Sequence, residues 1–219
     1  MKRNEAAGLA LAVCACVIVA ATEEVIRPSY AVKSLVKAGC WMGTVVLYAL
    51  ISHRKLEDVI RLHRTKEMKR PAIAALACFL GIFAAFALLK NQLDLPAIRS
   101  PLMAKEKLTR ENCLSVFAYI IVVNSFLEEA FFRGFVFQLM MDRKTGALVS
   151  AFLFAVYHIG IVATWFNPLV FALCIIGLAG VGLFLQWLSE RSIIGSWLPH
   201  AAANTAINLI GALLIFEIL

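Results

Sequence analysis

Apolar residues in this sequence form long uninterrupted runs separated by short polar segments. The runs lie at about 6–21, 31–51, 71–90, 113–141, 147–165, 169–188 and 198–217. At a rise of about 1.5 Å per residue, roughly 20 helical residues cross the hydrocarbon core of a bilayer. Long continuous runs favour helices over a barrel, because a helix satisfies its backbone polar groups within one segment. The pattern predicts an all-α, polytopic transmembrane helix bundle of about seven spans, with six to eight as the range.

The amino-acid composition also indicates a protein surrounded by lipid. Hydrophobic residues make up 62% of the 219 positions and charged residues only 16%, and the mean hydropathy is +0.84. A soluble domain is nearer half apolar and a quarter charged. We therefore expect the lipid bilayer to surround much of this protein.

The net charge of +7 is concentrated in loops, and seven of the 21 Lys and Arg residues lie within 53–70. Basic loops mark the cytoplasmic face of a membrane protein and contact anionic lipid headgroups. With no basic patch interleaved with aromatic residues, we expect no nucleic-acid partner. The basic segment 53–70 predicts a cytoplasmic N-terminus, and we expect the protein to lie in a bacterial inner membrane. Lys33 and Lys37, near the start of the second run, are expected to snorkel to the interface.

The polar residues inside the later runs are few. Ionisable side chains within a span are costly, face the bundle interior and mark functional sites. The fourth run carries Glu128, Glu129 and Arg133, the fifth carries His158, and the seventh carries His200 with Asn204.

Helical spacing separates the two carboxylates. Glu129 and Arg133 are four residues apart, so they share a helix face and can pair. Glu128 is rotated about 100° from Glu129 and faces a different neighbour. His200 and Asn204 also share a face. A carboxylate, two imidazoles and an amide from three helices supply a base for water and donors for an oxyanion, as hydrolysis requires.

Three motifs occur in order on separate apolar runs. They are E-E-x-x-x-R from Glu128 to Arg133, F-x-x-x-H ending at His158, and H-x-x-x-N from His200 to Asn204. This set resembles the CPBP family of intramembrane endopeptidases, which includes CAAX prenyl-protein proteases and bacteriocin-processing relatives. The resemblance covers about 111–217, and the first hundred residues match no motif of the family.

The resemblance implies roles for the six residues. Glu128 would activate the attacking water with help from His158, and Glu129 and Arg133 would hold the carboxylate network. His200 and Asn204 would stabilise the oxyanion. No cofactor is expected. Zinc is the alternative, held by Glu128, His158 and His200, because two histidines and a glutamate form a common catalytic zinc set. The H-E-x-x-H motif is absent.

The leading hypothesis is a glutamic-type, or alternatively metal-dependent, endopeptidase. Its substrate would be a membrane-anchored or lipidated protein, cut near its C-terminus by CAAX-type or sorting-signal processing. The alternative is a non-catalytic bacteriocin-immunity or scaffold protein that uses the same cavity. A proton-coupled transporter is a third hypothesis, which the lack of internal repeats disfavours.

The chain is predicted to be one membrane domain over 1–219. Within it, 1–112 would contain the N-terminal spans and the basic cytoplasmic loop. The catalytic helical core would occupy 113–217.

Overall fold

The computed structural model describes residues 3–62, 67–104, 107–159 and 167–218, and within these ranges every regular element is helical. The helices are α1 Arg3–Ala21, α2 Tyr30–Ser52, α3 Leu56–Val59, α4 Lys69–Leu89, α5 Leu95–Ala104, α6 Cys113–Leu139, α7 Arg143–Tyr157, α8 Pro168–Ser189 and α9 Ile193–Ile215. A π-helical turn, Thr22–Ile26, extends α1, and a 3-10 turn, Lys90–Gln92, follows α4.

Six of the described helices are long and apolar enough to cross a membrane. They are α1 with its π turn, α2, α4, α6, α8 and α9. The prediction of an all-α polytopic bundle is confirmed, and the six spans found among the described residues lie at the lower end of the predicted range. The fifth predicted run gives α7, which has only 15 residues. Residues 160–165 of that run lie outside the described part of the chain.

The last helix begins earlier than its apolar run suggested. It starts at Ile193, where the hydroxyl oxygen of Ser192 accepts a hydrogen bond from the Ile194 amide, 3.2 Å away. This N-cap satisfies one of the amide groups that a helix start leaves without a partner. The sequence prediction of a start near 198 is therefore wrong, because it followed hydropathy and ignored the cap.

An aromatic core joins α2, α6 and α7. The Trp41 ring stacks on Phe131 with centroids 5.1 Å apart and an interplanar angle of 9°. Phe132 and Tyr157 pack edge-on against the same indole. Aromatic side chains bury large apolar areas in fixed geometries. The core therefore fixes how α2, α6 and α7 lie relative to one another, and it holds the polar residues beside it in place.

Helix α7 is capped at its start and packs closely against α8 at its middle. Asp142 caps its start and accepts a hydrogen bond from the Thr145 amide at 2.7 Å. Hydrogen bonds from the Thr145 hydroxyl and amide hold the pKa of Asp142 below its usual value. Further along, α8 crosses α7 closely, because a Cβ added at Gly182 would lie only 3.0 Å from Ala151. This approach brings the α8 backbone within reach of α6.

Candidate active site

The two glutamates lie on an irregular part of α6. The α-helical turn Ser125–Glu129 is flanked by π-helical turns at Ile120–Asn124 and Ala130–Phe135. Each π turn inserts about one extra residue, and such insertions are frequent at functional sites. In this part of α6, the five polar side chains Asn124, Ser125, Glu128, Glu129 and Arg133 are all buried.

Glu129 is held by two partners. The Arg133 Nη1 atom lies 3.3 Å from Glu129 Oε1, and both side chains are fully buried. His200 Nδ1 lies 2.8 Å from the same oxygen. Arg133 also donates to the Gly182 carbonyl on α8 at 3.2 Å, and its guanidinium lies 4.3 Å from the Phe154 ring centre. Glu129 and Arg133 therefore tie α6 to α8 and α9.

The two oxygens of Glu128 have different surroundings. Oε1 accepts a hydrogen bond from Asn124 Nδ2 at 2.8 Å. Oε2 is buried and has no hydrogen-bond partner among the described residues. It lies 3.5 Å from His200 Nε2 and 3.9 Å from His158 Nε2. One oxygen is thus anchored, whereas the other faces two imidazoles across distances too long for direct hydrogen bonds.

Hydrogen bonds assign the histidine tautomers. A carboxylate oxygen only accepts, so His200 Nδ1 donates to Glu129. The Phe154 carbonyl likewise accepts from His158 Nδ1 at 2.7 Å. In each neutral ring the remaining Nε2 is then an acceptor. Three acceptor atoms therefore surround one point, and a water molecule at that point could donate to two of them at a time.

Asn204 lies one turn beyond His200 on α9. Its amide Nδ2 lies 3.4 Å from the Ile120 carbonyl on α6, a long hydrogen bond. The structure therefore brings Glu128, His158 and His200 around one point, ties Glu129 and Arg133 to His200, and places Asn204 at the same junction of α6 and α9. The chemical roles of these six residues stay predictions.

The sequence interpretation missed the contribution of the N-terminal helices. Lys33 and Lys37 were expected to snorkel, but they are buried, with exposed fractions of only 3% and 7%. Lys33 Nζ lies 3.4 Å from Glu23, and Lys37 Nζ lies 3.9 Å from Glu128. The four-residue spacing of the lysines, with Glu23 just before their helix, was the signal that could have identified an interior face.

Glu128 Oε2 and the two nearby imidazole nitrogens are atom types that bind zinc, but the distances between them fit a zinc site less well. Two imidazole nitrogens with fixed Nδ1 partners and one carboxylate oxygen form a common zinc set. Bonds of about 2.1 Å in a tetrahedral site place the ligand atoms roughly 3.4 Å apart, whereas Nε2 of His158 lies 3.9 Å from Glu128 Oε2. Within the described part of the chain, no three His, Cys, Asp or Glu side chains form a group that could hold a metal ion.

Comparison with known proteins finds one family that this part of the chain is similar to. Residues 110–206 match the model of the type II CAAX prenyl endopeptidase Rce1-like family, a segment that contains all three motifs. No curated protein and no solved structure gives a match. Residues 110–206 are therefore similar to the Rce1-like CAAX endopeptidase family, the kind of protein that the three motifs resemble.

Proposed function

We propose that this protein is a glutamic-type intramembrane endopeptidase that cuts a membrane-anchored or lipidated protein near its C-terminus. The family match supports a CAAX-type intramembrane endopeptidase, and hence a protease with a membrane-associated substrate. The observation that carries the proposal is the buried Glu128 Oε2, which has no partner among the described residues and faces two imidazole acceptors.

In this mechanism, Glu128 Oε2 takes a proton from a water molecule whose oxygen attacks the scissile carbonyl carbon. The Nε2 atom of His158 accepts the second hydrogen of that water and orients it. Asn204 Nδ2 donates to the oxyanion, and so does His200 Nε2 when that ring has taken a second proton from solvent. When the C–N bond breaks, Glu128 returns the proton to the leaving nitrogen. General base catalysis of this kind contributes roughly 10²–10⁴-fold in rate.

The depth of the site supports a substrate that arrives from the bilayer. Glu128 and His200 lie on α6 and α9, both candidate membrane spans. Of the side chains around Glu128 Oε2, His158 is the most exposed, at 16% against 6% for His200 and 3% for Glu128. We infer that the peptide enters on the His158 side.

The protein is an integral membrane protein. We further propose a bacterial inner membrane with the N-terminus in the cytoplasm. The basic loop between α2 and α4 supports this orientation, since it follows two spans and would lie on the same side as the N-terminus.

The test compares protein C-termini and new N-termini in cells that contain wild type or Glu128→Gln at matched abundance. Glutamine keeps the shape of the side chain and an oxygen that accepts from Asn124, but it cannot act as the base. We expect a small set of membrane-anchored proteins to be trimmed in wild type. Their processing should slow by roughly 10²–10⁴-fold in the variant.

Glu57→Gln is the matched control, since the Glu57 side chain is 77% exposed. It should process like wild type. Identical termini in wild-type and Glu128→Gln cells, together with a deletion phenotype that Glu128→Gln rescues, would refute the peptidase. That result would favour the bacteriocin-immunity or scaffold function.

A further inference from the structure

Lys37 reaches Glu128 from a helix outside the segment that matches the family. It lies on α2, whereas the match covers 110–206. Its ammonium nitrogen is 3.9 Å from Glu128 Oε1, 4.0 Å from Glu23 Oε1 and 3.0 Å from Asn124 Oδ1. Only the Asn124 distance is that of a hydrogen bond, so Lys37 acts on Glu128 chiefly through Asn124.

The hydrogen bond to Asn124 determines which way its amide points. A lysine ammonium can only donate, so the oxygen of Asn124 must face Lys37. The Asn124 nitrogen is thereby turned toward Glu128 Oε1, to which it donates at 2.8 Å. Lys37 therefore orients the Asn124 amide, and the Asn124 amide in turn anchors one oxygen of Glu128. The other oxygen is left free to face His158 and His200.

The ammonium is itself fixed by the aromatic core. It lies 5.6 Å from the Trp41 ring centre and 5.2 Å from the Tyr157 ring centre, within the range of cation–π attraction. Trp41 is completely buried and stacked on Phe131, and Tyr157 is buried as well. The two rings that contact the ammonium are therefore held in place. Glu23, which also lies 3.4 Å from Lys33, supplies the outer counter-charge.

The charges of this buried set balance. Lys33, Lys37 and Arg133 are three cations, and Glu23, Glu128 and Glu129 are three carboxylates, all buried. Uncompensated charge at such depth is costly, whereas compensated charge is tolerated. Among the ion pairs of the described residues, Lys37 is the lysine or arginine that pairs with Glu128, so it both balances and orients that carboxylate.

We propose that Lys37 is a positioning residue for Glu128, acting through Asn124. This inference rests on the proposed function for its kinetic consequence, but its structural content can be measured without a substrate. A misplacement of about 1 Å at a reacting group can cost roughly 10²-fold in rate. Loss of Lys37 should therefore lower kcat far more than it raises KM.

The first experiment is infrared spectroscopy of the full-length protein in lipid vesicles. The carboxylate band of Glu128 is assigned by its disappearance in Glu128→Gln. We expect Lys37→Met to change this band and Lys37→Arg to restore much of it, because arginine keeps a cation that donates to Asn124. Asn124→Ala, which leaves both lysines in place, should change the same band. It tests the same proposal if the Lys37→Met protein does not accumulate.

Lys33→Met is the matched control. It removes one buried cation from the same helix face and changes the net charge of the set equally, yet it should leave the Glu128 band nearly unchanged. An unchanged band in both Lys37→Met and Asn124→Ala would overturn the proposal. An equal change of the Glu128 band in Lys33→Met and Lys37→Met would also overturn the proposal. The band would then depend only on the number of buried charges, and not on the contact of Lys37 with Asn124.

The second measurement uses a prenylated fluorogenic CAAX peptide as the probe. We expect Lys37→Met to lower kcat by roughly 10²-fold with KM within about threefold of wild type, and Lys37→Arg to recover part of the rate. Wild-type kcat in Lys37→Met would overturn the kinetic part. If even wild type leaves the peptide intact, the proposed function is in question, whereas the infrared result still decides the role of Lys37.

Discussion

At the scale of single residues, the Arg133 guanidinium connects three parts of the site. It lies 3.3 Å from Glu129, donates to the Gly182 carbonyl, and packs over the Phe154 ring at 4.3 Å. A planar guanidinium can meet a carboxylate, a carbonyl and a ring at once, whereas a lysine offers a point charge on a flexible stem. Arg133 and Lys37 are therefore not interchangeable cations, although each compensates a buried glutamate.

We expect Arg133→Met to lower the free energy of unfolding by about 3–5 kcal/mol, because Glu129 would remain buried without its guanidinium. Arg133→Lys should lose less, since it keeps the charge. Thermal unfolding in detergent measures both losses. Adding Glu129→Gln to Arg133→Met should recover part of the stability, and a double variant no more stable than the single one would show that the two residues are not coupled.

Sequence predicted the Glu129–Arg133 pair but not the Lys37 contact, and the reason is physical. A four-residue spacing on one helix determines a local pair without reference to the fold. Lys37 approaches Glu128 and Asn124 from another helix, 87 positions before Asn124 in the chain. Its burial depends on how α2 packs against α6, and hydropathy alone assigns a lysine near the start of a span to the interface.

At the scale of helices, the close approach of α7 and α8 depends on one glycine of three. Helix α8 contains the three glycines Gly177, Gly180 and Gly182. In the structure, a Cβ added at Gly182 would lie 3.0 Å from both the Cα and the Cβ of Ala151. At Gly177 and Gly180 the described residues place no such atom within 4 Å.

We expect Gly182→Ala to destabilise the protein by about 1–3 kcal/mol, because α8 must move away from the α7 backbone. The same movement draws the Gly182 carbonyl away from Arg133, so processing should also slow. Gly177→Ala is the control and should be neutral or slightly stabilising, since alanine favours a helix. Thermal unfolding and substrate processing measure the two effects. Equal stability of the two variants would contradict the packing argument.

At the scale of the whole molecule, hydropathy predicted the architecture because lipid allows few alternatives. Each long apolar run outside the fifth became a helix of spanning length, and the family resemblance indicated which helices should meet. The short helices α3 and α5 and the π turns of α6 had no clear signal, since they depend on packing and on local hydrogen bonds. The fifth run was read as a full span, whereas the described part of it ends in a 15-residue helix.

Whether the protein uses zinc is tested on the intact, purified protein. We expect purified, processing-competent protein to contain well under one zinc per chain and to keep its rate after treatment with a chelator. Glu128 then acts on water directly, with Lys37 beside it. Elemental analysis and the processing rate provide the measurement. Stoichiometric zinc, with activity lost on chelation and regained on zinc addition, would assign Glu128, His158 and His200 as ligands.

The distribution of buried charge has a consequence for how the chain is assembled during synthesis. The N-terminal hairpin of α1 and α2 brings Glu23 together with Lys33 and Lys37, which leaves one positive charge. Helix α6 brings Glu128 and Glu129 together with Arg133, which leaves one negative charge. Each unit alone would hold an uncompensated charge in the bilayer, and docking neutralises both. The attraction between the positive hairpin and the negative helix α6 would therefore also favour their correct pairing when α6 enters the bilayer.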